Sequence, residues 1–404
     1  MDATTSIRKR RRGALFSGGF AHFIHDGFTD CLFVLLPLWA SGFGLSHAQV
    51  GFLKMCMSGS MSVMQVPAGL LAERFGERAV LTAGTLLVGG GFALVSMADG
   101  FMLLAVTLIL AGTGCAVQHP LASSIVSTEH EGGSRRAALG MYNFAGDLGK
   151  VAVPFTVAAI IGVYGWRTGA VSYGILGIFA GIAIFIALTR LGLGRRREHH
   201  KPDAVDAPPP IKGWGLRDPQ GFGVLSTISM IDSAARMGFM TFLPFLLMAK
   251  GLDITGMGFA LALLFAGGAA GKLICGLVAE RLGILRTVVL TEVATALLIF
   301  ALIALPLTPA LVLLPLVGIA LNGTSSVLYG TVGDFVVPER QARGFGLFYT
   351  FGTAAGAVAP LVFGIVSDAG GLTMALSILA AMVALTLPLC LMLRPSLAAV
   401  SRTA

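Results

Sequence analysis

The residues of this sequence that could do chemistry lie inside long apolar stretches. His22, Asp26 and Asp30 follow one another at intervals of four residues, which places their side chains on one face of a helix. An imidazole beside a carboxylate can bind a proton and release it when its access to water changes. The spacing therefore predicts a proton-binding site centred on His22 and Asp26, with Asp30 and Asp147 as further members. The alternative is that Asp26 only braces neighbouring helices through hydrogen bonds.

Charged pairs farther along the chain have the spacing of helical neighbours and could bind a substrate. Asp147 and Lys150 lie at positions i and i+3, and Asp232 and Arg236 lie at i and i+4. Each pair could equally neutralise itself and serve only as a structural contact. The predicted substrate contacts are His25, Gln118, His119, Lys150, Asp232 and Arg236.

A metal-ion site is an alternative interpretation of some of the same residues. Imidazole, carboxylate and thiol groups together suit a borderline divalent ion such as zinc, nickel or cobalt. The sequence supplies such groups in its first and fourth apolar stretches, at His22, His25, Asp26, Asp30, Cys115 and His119. Spacing does not show that these groups converge, so a metal ion is treated as a possible cargo, and no resident metal or cofactor is expected.

Composition indicates that the apolar stretches cross a membrane. Of the 404 residues, 55% are hydrophobic and 12% are charged, whereas a soluble globular chain has about 25% charged residues. The five cysteines have no spacing that suggests a disulfide framework. The sequence has no nucleotide-binding loop and no nucleophile motif, so we expect no enzymatic activity. The net charge of +8 does not predict nucleic-acid binding, because its distribution follows the membrane instead.

Twelve apolar stretches reach the roughly 20 residues that a helix needs to cross a bilayer. They cover residues 14–41, 46–72, 79–98, 101–126, 137–163, 168–190, 219–249, 255–281, 286–306, 309–334, 342–368 and 371–394. Three further ionisable residues within them are expected to have structural roles. Lys54 is expected to extend its amine toward the membrane surface, and Lys272 and Glu292 are expected to tie neighbouring helices together.

The distribution of Lys and Arg predicts the orientation of these spans. Four of the 28 basic residues lie within spans, and Arg167 and Lys250 alone fall on the outer side if both termini are cytoplasmic. The opposite orientation would violate the positive-inside rule. We therefore expect a multi-pass, monomeric protein of a bacterial cytoplasmic membrane with both termini inside, and small molecules, protons and lipid as its partners.

An internal repeat divides the chain into halves. The sequence Gly-Leu-Leu-Ala-Glu-Arg-Phe-Gly at 69–76 recurs as Gly-Leu-Val-Ala-Glu-Arg-Leu-Gly at 276–283. At an offset of 206, Asp26 matches Asp232, and Gly146 matches Gly352. We predict a basic N-terminus (1–13), two six-helix bundles (14–190 and 219–394), a proline-broken cytoplasmic linker (191–218) and a tail (395–404). The predicted fold is an all-α integral membrane protein with twelve transmembrane helices in two pseudo-symmetric six-helix bundles.

The repeated turn resembles the signature loop between the second and third helices of the major facilitator superfamily. Glu73 stands where that family usually has Asp. The resemblance implies the major facilitator fold, with a charged turn that pairs with neighbouring helices in one state and releases them in another. The residues that match in one or the other copy are Gly69, Glu73, Arg74, Gly76, Arg78, Gly276, Glu280, Arg281 and Gly283.

Two further stretches resemble the fosmidomycin-resistance group of major facilitator exporters. They are Ala-His-Phe-Ile-His-Asp at 21–26 and Gly-Thr-Gly-Cys-Ala-Val-Gln-His-Pro at 112–120. His25 stands where that group has Asn, and Leu121 where an acidic residue often follows the proline. The resemblance implies proton-coupled efflux of a small organic compound, anionic or antimicrobial, by alternating access. Uptake of an organic anion or a sugar, with Lys150 or Arg236 as the counter-charge, is a further alternative, because one fold hosts many substrates.

Overall fold

A computed structural model describes residues 3–130, 133–195, 214–337 and 340–403, and these are almost entirely helical. Within these ranges, the isolated bridge between Leu216 and Val336 is the only β-type pairing. The helices are α1 Ala3–Asp30, α2 Leu32–Phe43, α3 His47–Phe75, α4 Glu77–Val95, α5 Phe101–Cys115, α6 Gln118–Glu129, α7 Gly133–Leu191, α8 Pro219–Ala249, α9 Ile254–Leu282, α10 Ile284–Ala304, α11 Leu307–Thr331, α12 Gln341–Gly370, α13 Leu372–Val383 and α14 Thr386–Thr403. A 3₁₀ turn, Val332–Phe335, follows α11.

Each predicted span lies on helical residues. Ten helical segments of the described chain are long and apolar enough to cross a membrane. One of them, 137–191, carries two predicted spans and is divided by a sharp bend at Gly165 (φ 81°). The second predicted span lies on α3, whose polar residues keep it outside those ten segments. The prediction of a helical membrane protein is confirmed.

The repeated turns have the same backbone conformation in both halves. Gly76 joins α3 to α4 with φ 86° and ψ 146°, and Gly283 joins α9 to α10 with φ 85° and ψ 158°. Gly165 and Gly371, also 206 residues apart, form a second such pair, with φ 81° and 89°. Positive φ with extended ψ is accessible almost only to glycine, so the two halves share the same backbone conformation at these two pairs of glycines.

The described residues form two compact units. Unit 1 comprises the described residues within 1–197 and 243–266, and unit 2 comprises those within 198–242 and 267–404. Most of the predicted linker, residues 196–213, lies outside the described residues. The predicted boundaries of the two bundles stay predictions.

Helix α1 lies at the centre of unit 1. In its most apolar window the span 7–43 is 83% buried, against 39% for 284–304, so α1 is enclosed by other helices rather than by lipid. Glycines bring α7 close to it: a Cβ at Gly149 would meet the carbonyl of Phe23, and one at Gly146 would fall on the ring of His22. Small residues at such positions allow the backbones of membrane helices to approach. This close packing fixes the polar face of α1 against α7.

Unit 2 has its own apolar core, formed by buried side chains of α8, α10, α11, α12 and α14. Helix α8 begins after Asp218, whose carboxylate accepts a hydrogen bond from the backbone N–H of Gly221 at 2.9 Å. That bond, together with one from the Ser396 hydroxyl, holds the pKa of Asp218 below its usual value. The carboxylate therefore serves as the N-cap of α8.

The five cysteines, Cys31, Cys56, Cys115, Cys275 and Cys390, are all free and buried. Cys31 lies at the break between α1 and α2, and Cys115 ends α5.

Candidate functional site

Three side chains of unit 1 surround the buried carboxylate of Asp26, and a fourth contacts one of them; we call the five residues the Asp26 cluster. His22 Nε2 lies 3.2 Å from Asp26 Oδ2, and Lys150 Nζ lies 3.3 Å from the same oxygen. His119 Nε2 lies 3.9 Å from Asp26 Oδ1. Asp147 completes the cluster, with Oδ1 3.7 Å from Lys150 Nζ. Helices α1, α6 and α7 thus bring together residues that are more than 120 positions apart in the sequence.

His22 lies between a backbone carbonyl and the Asp26 carboxylate. His22 Nδ1 lies 3.0 Å from the carbonyl oxygen of Tyr142, which can only accept a hydrogen bond, so Nδ1 carries a hydrogen. Nε2 faces Asp26 Oδ2, which is buried and has no hydrogen-bond partner. An imidazole and a carboxylate in this arrangement are the residue types of a proton-binding site.

Helix α6 contributes His119 and the polar residue before it. The rings of His119 and His22 meet edge to face, with centroids 5.2 Å apart. Gln118 Nε2 donates a hydrogen bond of 2.6 Å to the hydroxyl of Tyr142, whose ring packs on His22 at 4.3 Å. The carbonyl oxygen of the Gln118 side chain is buried and has no hydrogen-bond partner. Tyr142 is thus a positioning residue for His22 that the spacing of charged residues could not reveal.

The members of the Asp26 cluster differ in their exposure. The side chains of His22 and Asp26 are each 6% exposed, whereas those of Lys150 and His119 are 31% and 37% exposed. A molecule that approaches the cluster would meet the ammonium and the imidazole first. The carboxylate lies behind them.

His25 lies apart from this cluster, against α4. Thr85 donates its hydroxyl hydrogen to the carbonyl of Leu81 at 2.8 Å, so His25 Nε2 must donate to the Thr85 oxygen, 2.9 Å away. His25 is 2% exposed, and its Nδ1 is buried without a hydrogen-bond partner. These contacts are those of a neutral ring that links α1 to α4. A substrate-binding role for His25 stays a prediction.

Asp30 lies one helical turn beyond Asp26 and belongs to a second buried charge pair. Lys54 Nζ donates to the carbonyl of Thr29 at 3.3 Å and lies 4.4 Å above the ring of Phe33, in the electrostatic field of Asp30. The expectation that Lys54 reaches toward the membrane surface is wrong, because the side chain turns inward to these partners and is 3% exposed.

A second group of buried acids lies in unit 2. Asp232, on α8, is 4% exposed, and Glu292, on α10, is 2% exposed. Each of the two carboxyl groups lies in the electrostatic field of the other. Arg236, one turn along α8, is half buried with Nη2 3.5 Å from Ser233 Oγ. We call Asp232, Arg236, Glu292 and Thr324 the Asp232 cluster. Sequence reasoning proposed Asp232 and Arg236 as substrate contacts but gave Glu292 only a structural role, although an ionisable residue in an apolar run was a usable signal.

The charged turns of the repeat lie at exposed helix ends. Glu73, Arg74, Glu280 and Arg281 are exposed and form no ion pair with another described residue. Arg78 is half buried, its guanidinium 5.6 Å from the ring of Phe185, and its backbone N–H donates to Gly194 at 2.8 Å. The glycines of the repeated motif fall into two groups. Gly76 and Gly283 form the turns and have positive φ, while Gly69 and Gly276 lie within helices.

Comparison with known proteins identifies the family of this chain. The family model of the Major Facilitator Superfamily matches residues 18–227 and 225–403. The chain belongs to the Major Facilitator Superfamily. The predicted major facilitator fold is therefore confirmed, and the chain is a multi-pass membrane protein of a family of transporters.

Two curated relatives are similar to this major facilitator protein. The fosmidomycin resistance protein of Escherichia coli (strain K12) is 24% identical over 379 residues, which cover 91% of this chain and 89% of the relative. The predicted resemblance to that exporter group is confirmed at this level. A probable L-galactonate transporter of the same organism is 29% identical over 255 residues, or 59% of this chain. The alignment spans about half, 55%, of that relative's length.

A solved structure shows the same fold. A bacterial homologue of the human lysosomal transporter Spinster, crystallised in an inward-facing and unoccupied conformation, matches with a TM-score of 0.77. The two sequences are 18% identical, and the match covers 98% of this chain and 97% of that one. At this identity, the comparison establishes the fold alone.

Proposed function

We propose that this major facilitator protein exports a small organic compound, anionic or antimicrobial, in exchange for protons by alternating access. The observation that carries the proposal is the position of His22, between a backbone carbonyl and the buried Asp26 carboxylate, 3.2 Å from Oδ2. An ionisable group inside a membrane protein is expensive to bury and is a functional candidate for that reason. The similarity to the fosmidomycin resistance protein supports the direction of transport.

Exchange requires that the proton and the cargo compete for the same group. Asp26 can take that role, because a hydroxyl or amine of the cargo can donate to the carboxylate only after the proton has left. Lys150 and His119, the exposed members of the Asp26 cluster, would meet an acidic part of the cargo. Asp147 would then hold Lys150 when the cargo is absent. We infer that Gln118, with an unpartnered side-chain oxygen, offers the cargo a hydrogen-bond acceptor.

Asp232 and Arg236 are proposed as cargo contacts in unit 2. Asp232 Oδ2 and Arg236 Nε are buried and have no hydrogen-bond partner, which supports a role in binding a polar ligand. The exposed charged turns at Glu73–Arg74 and Glu280–Arg281, with Arg78 and the motif glycines, are proposed to regulate the conformational change. We propose that both termini are cytoplasmic, in a bacterial inner membrane, because of the basic residues on that side.

Uptake of an organic anion is the second candidate. Lys150 is held by Asp26 at 3.3 Å, and a proton on Asp26 would release the ammonium to bind an anion. Proton and anion would then bind together and move in the same direction. The relative named for L-galactonate, a sugar acid, supports this alternative. The two candidate functions predict opposite changes in bound protons when the cargo binds. Exchange predicts that the protein releases a proton, and co-transport predicts that it takes one up.

Transport of a divalent metal ion has weaker support. The ligand atoms of His22, Asp26 and His119 lie within 4.8 Å of one another, as a metal site requires. The ammonium of Lys150, however, contacts the same carboxylate and would repel a cation. The other candidate ligands named from the sequence do not join this group: His25 contacts Thr85, and Asp30 lies in the field of Lys54.

Transport into everted membrane vesicles tests the proposal. Fosmidomycin is the first compound to test, followed by a panel of antimicrobial compounds. Vesicles that contain the wild-type protein are expected to accumulate a transported compound when their interior is acidified. Asp26→Asn should abolish this accumulation, since the amide cannot bind an exchangeable proton. Asp99→Asn, at an exposed position between helices, is the matched control and should transport normally.

Folding of both variants is checked by monodisperse elution and thermal unfolding. Gradient-driven transport by Asp26→Asn at the wild-type rate would show the mechanism to be wrong. A pH indicator in lightly buffered solution then separates the candidates. Proton release on cargo binding supports exchange, and proton uptake supports co-transport.

A further inference from the structure

The run of basic residues near the start of the first span is divided between two faces of α1. Helix α1 is continuous from Ala3 to Asp30, so successive side chains in this run are rotated by about 100°. The mean direction of Arg10 and Arg11 then differs by about 180° from that of Lys9 and Arg12. The two pairs of cations therefore lie on opposite faces of the helix and cannot share a partner.

One of the two pairs is used by the protein itself. The guanidinium of Arg10 donates two hydrogen bonds to the Glu129 carboxylate, from Nη2 to Oε1 at 2.9 Å and from Nε to Oε2 at 3.2 Å. Arg11 Nε donates to the backbone carbonyl of Glu129 at 3.0 Å. Glu129 is the last residue of α6, where a cation is favourable to the helix dipole. These contacts fix the rotation of α1 about its axis and leave the opposite face turned outward.

The outward face of α1 carries cations that no acid of the described chain neutralises. Arg8, Lys9 and Arg12 are exposed and form no ion pair with another described residue. Several basic residues at the end of a membrane helix attract the headgroups of anionic lipids. Membrane orientation requires only that the cations be present, and it does not require that one face of the helix be free of acidic partners.

Beyond the cations, the same face of α1 is apolar. Phe16 follows Arg12 by about one turn and is 76% exposed, and it lies inside the first membrane-spanning segment. Its ring stacks with that of Phe20, with centroids 6.4 Å apart and planes 5° apart. A cation followed by an exposed aromatic ring matches the order of phosphate and acyl chain in a phospholipid. A soluble acidic protein or a nucleic acid would complement the charge but not the ring.

The end of α7 provides the same arrangement next to α1. A Cβ at Gly13 would fall on the side chain of Leu191, so the two helices are in contact at this level. Arg190, in the last turn of α7, is exposed, and Ile186, about one turn earlier, is 42% exposed. A lipid against the outward face of α1 would therefore meet a second cation and a second apolar surface on α7.

We propose that Arg8, Lys9, Arg12 and Phe16 form a binding site for an anionic phospholipid. The three cations would bind the phosphate of the headgroup, and an acyl chain would lie along the phenyl ring. The site needs no contribution from the Asp26 cluster, so it goes beyond the proposed function.

Titration of lipid into the detergent-purified protein, followed by native mass spectrometry, tests the proposal. The two lipids are phosphatidylglycerol, which is anionic, and phosphatidylcholine, which carries the same acyl chains without net charge. The wild type should bind phosphatidylglycerol at the lower concentration, and added salt should weaken this preference. The variant Arg8→Gln/Lys9→Gln/Arg12→Gln should bind phosphatidylglycerol about 100-fold more weakly, because it lacks three cations at the membrane surface. Its binding of phosphatidylcholine should stay as in the wild type.

A charge-matched variant serves as the control. Arg286→Gln/Arg343→Gln/Arg394→Gln removes three exposed cations from unit 2 and should bind phosphatidylglycerol as the wild type does. An equal loss in this control would overturn the proposal, since net charge alone would then explain the binding. Wild-type affinity in the first variant would overturn it too, as would binding of glycerol phosphate at the same concentrations as the lipid. If the first variant does not fold, Arg12→Gln decides in its place, with an expected loss of about fivefold.

Discussion

The Asp26 and Asp232 clusters occupy equivalent positions of the internal repeat but have opposite surroundings. The two aspartates are 206 residues apart, and each is almost fully buried on the first helix of its half. Asp26 has three groups that can carry positive charge within 3.9 Å, whereas Asp232 lies in the electrostatic field of another buried acid, Glu292, as well as that of Arg236. The repeat thus reproduces the carboxylate but not its neighbours. An aspartate at this position gains its chemistry from the helices that pack against it.

The same contrast extends to the helices behind the aspartates. Thr85 and Thr291 are also 206 residues apart, and each donates to a carbonyl four residues earlier, at 2.8 and 2.9 Å. The Thr85 oxygen then accepts from His25, and that of Thr291 accepts from Thr324. The hydrogen bond from the threonine hydroxyl to the backbone of its own helix is therefore common to the two halves, while the side chain that donates to the threonine oxygen differs.

The largest expected difference between the clusters is in stability. Asp26→Asn removes a buried charge that is paired with His22 and Lys150, and breaking such a pair costs about 3 kcal/mol. Asp232→Asn removes both the attraction to Arg236 and the influence of the buried acid Glu292, which oppose each other, so it should cost less than about 1 kcal/mol. Unfolding in detergent micelles measures both. Equal losses in the two variants would mean that the two aspartates have the same electrostatic role.

A matched pair of glycines tests how tightly each cluster is packed. An alanine at Gly146 would fall on the ring of His22, and overpacking of this kind costs about 2 kcal/mol. At the equivalent Gly352, the new Cβ would meet the Ser229 and Ser233 hydroxyls at 3.2 and 3.3 Å, and these side chains can rotate. Gly352→Ala should therefore cost less than about 1 kcal/mol by thermal unfolding. Gly146→Ala should also weaken proton-driven transport, and a normal rate would contradict the role of His22.

The turn glycines should show no difference between the halves. Gly76 and Gly283 have nearly the same positive φ, so Gly76→Ala and Gly283→Ala should each cost about 1 to 2 kcal/mol from backbone strain. Gly69→Ala and Gly276→Ala are the controls. They lie within helices in open space and should stabilise the protein by up to about 1 kcal/mol. Unequal costs at Gly76 and Gly283 would show that the two turns are not equivalent.

The smallest expected effect concerns the start of the second half. Asp218→Ala removes the N-cap of α8 and should cost about 1 kcal/mol or less at about pH 7. Because the pKa of Asp218 is lowered in the folded protein, its contribution is present above the unfolded pKa and is lost as the pH falls through the folded pKa. The difference between wild type and variant should therefore decrease as the pH is lowered and vanish once the folded carboxyl is protonated. Position 12, 206 residues earlier, is Arg12, so no equivalent effect is expected there.

The sequence predicted the fold well because hydropathy and the repeat are local signals. The charged turn at Glu73 and Arg74, its copy and the helical spans needed no knowledge of distant contacts. The pairing of His22 with Asp26 was also within reach, since both lie on one helix face. Lys150 was paired with Asp147 by spacing, yet its shorter contact is to Asp26 on another helix.

Contacts between helices account for what spacing alone could not show. Lys54 was expected to turn outward because nothing in the adjacent sequence offers it a partner, while the carbonyl of Thr29 and the field of Asp30 come from α1. His25, like His22, is a histidine within an apolar stretch, but its ring contacts Thr85 on α4. Which polar side chains meet across a bundle depends on helix rotation, which a single sequence does not encode in its spacing.

The burial of all five cysteines has a practical consequence for studying conformational change. A maleimide reagent requires an accessible thiolate, so the native thiols should label slowly. A single cysteine introduced at an exposed position, such as Met102 or Val312, would then be the main reactive site in an otherwise unaltered chain. Fluorophore or spin-label distances could be measured in the native background, without first replacing residues such as Cys115 that lie beside the binding groups.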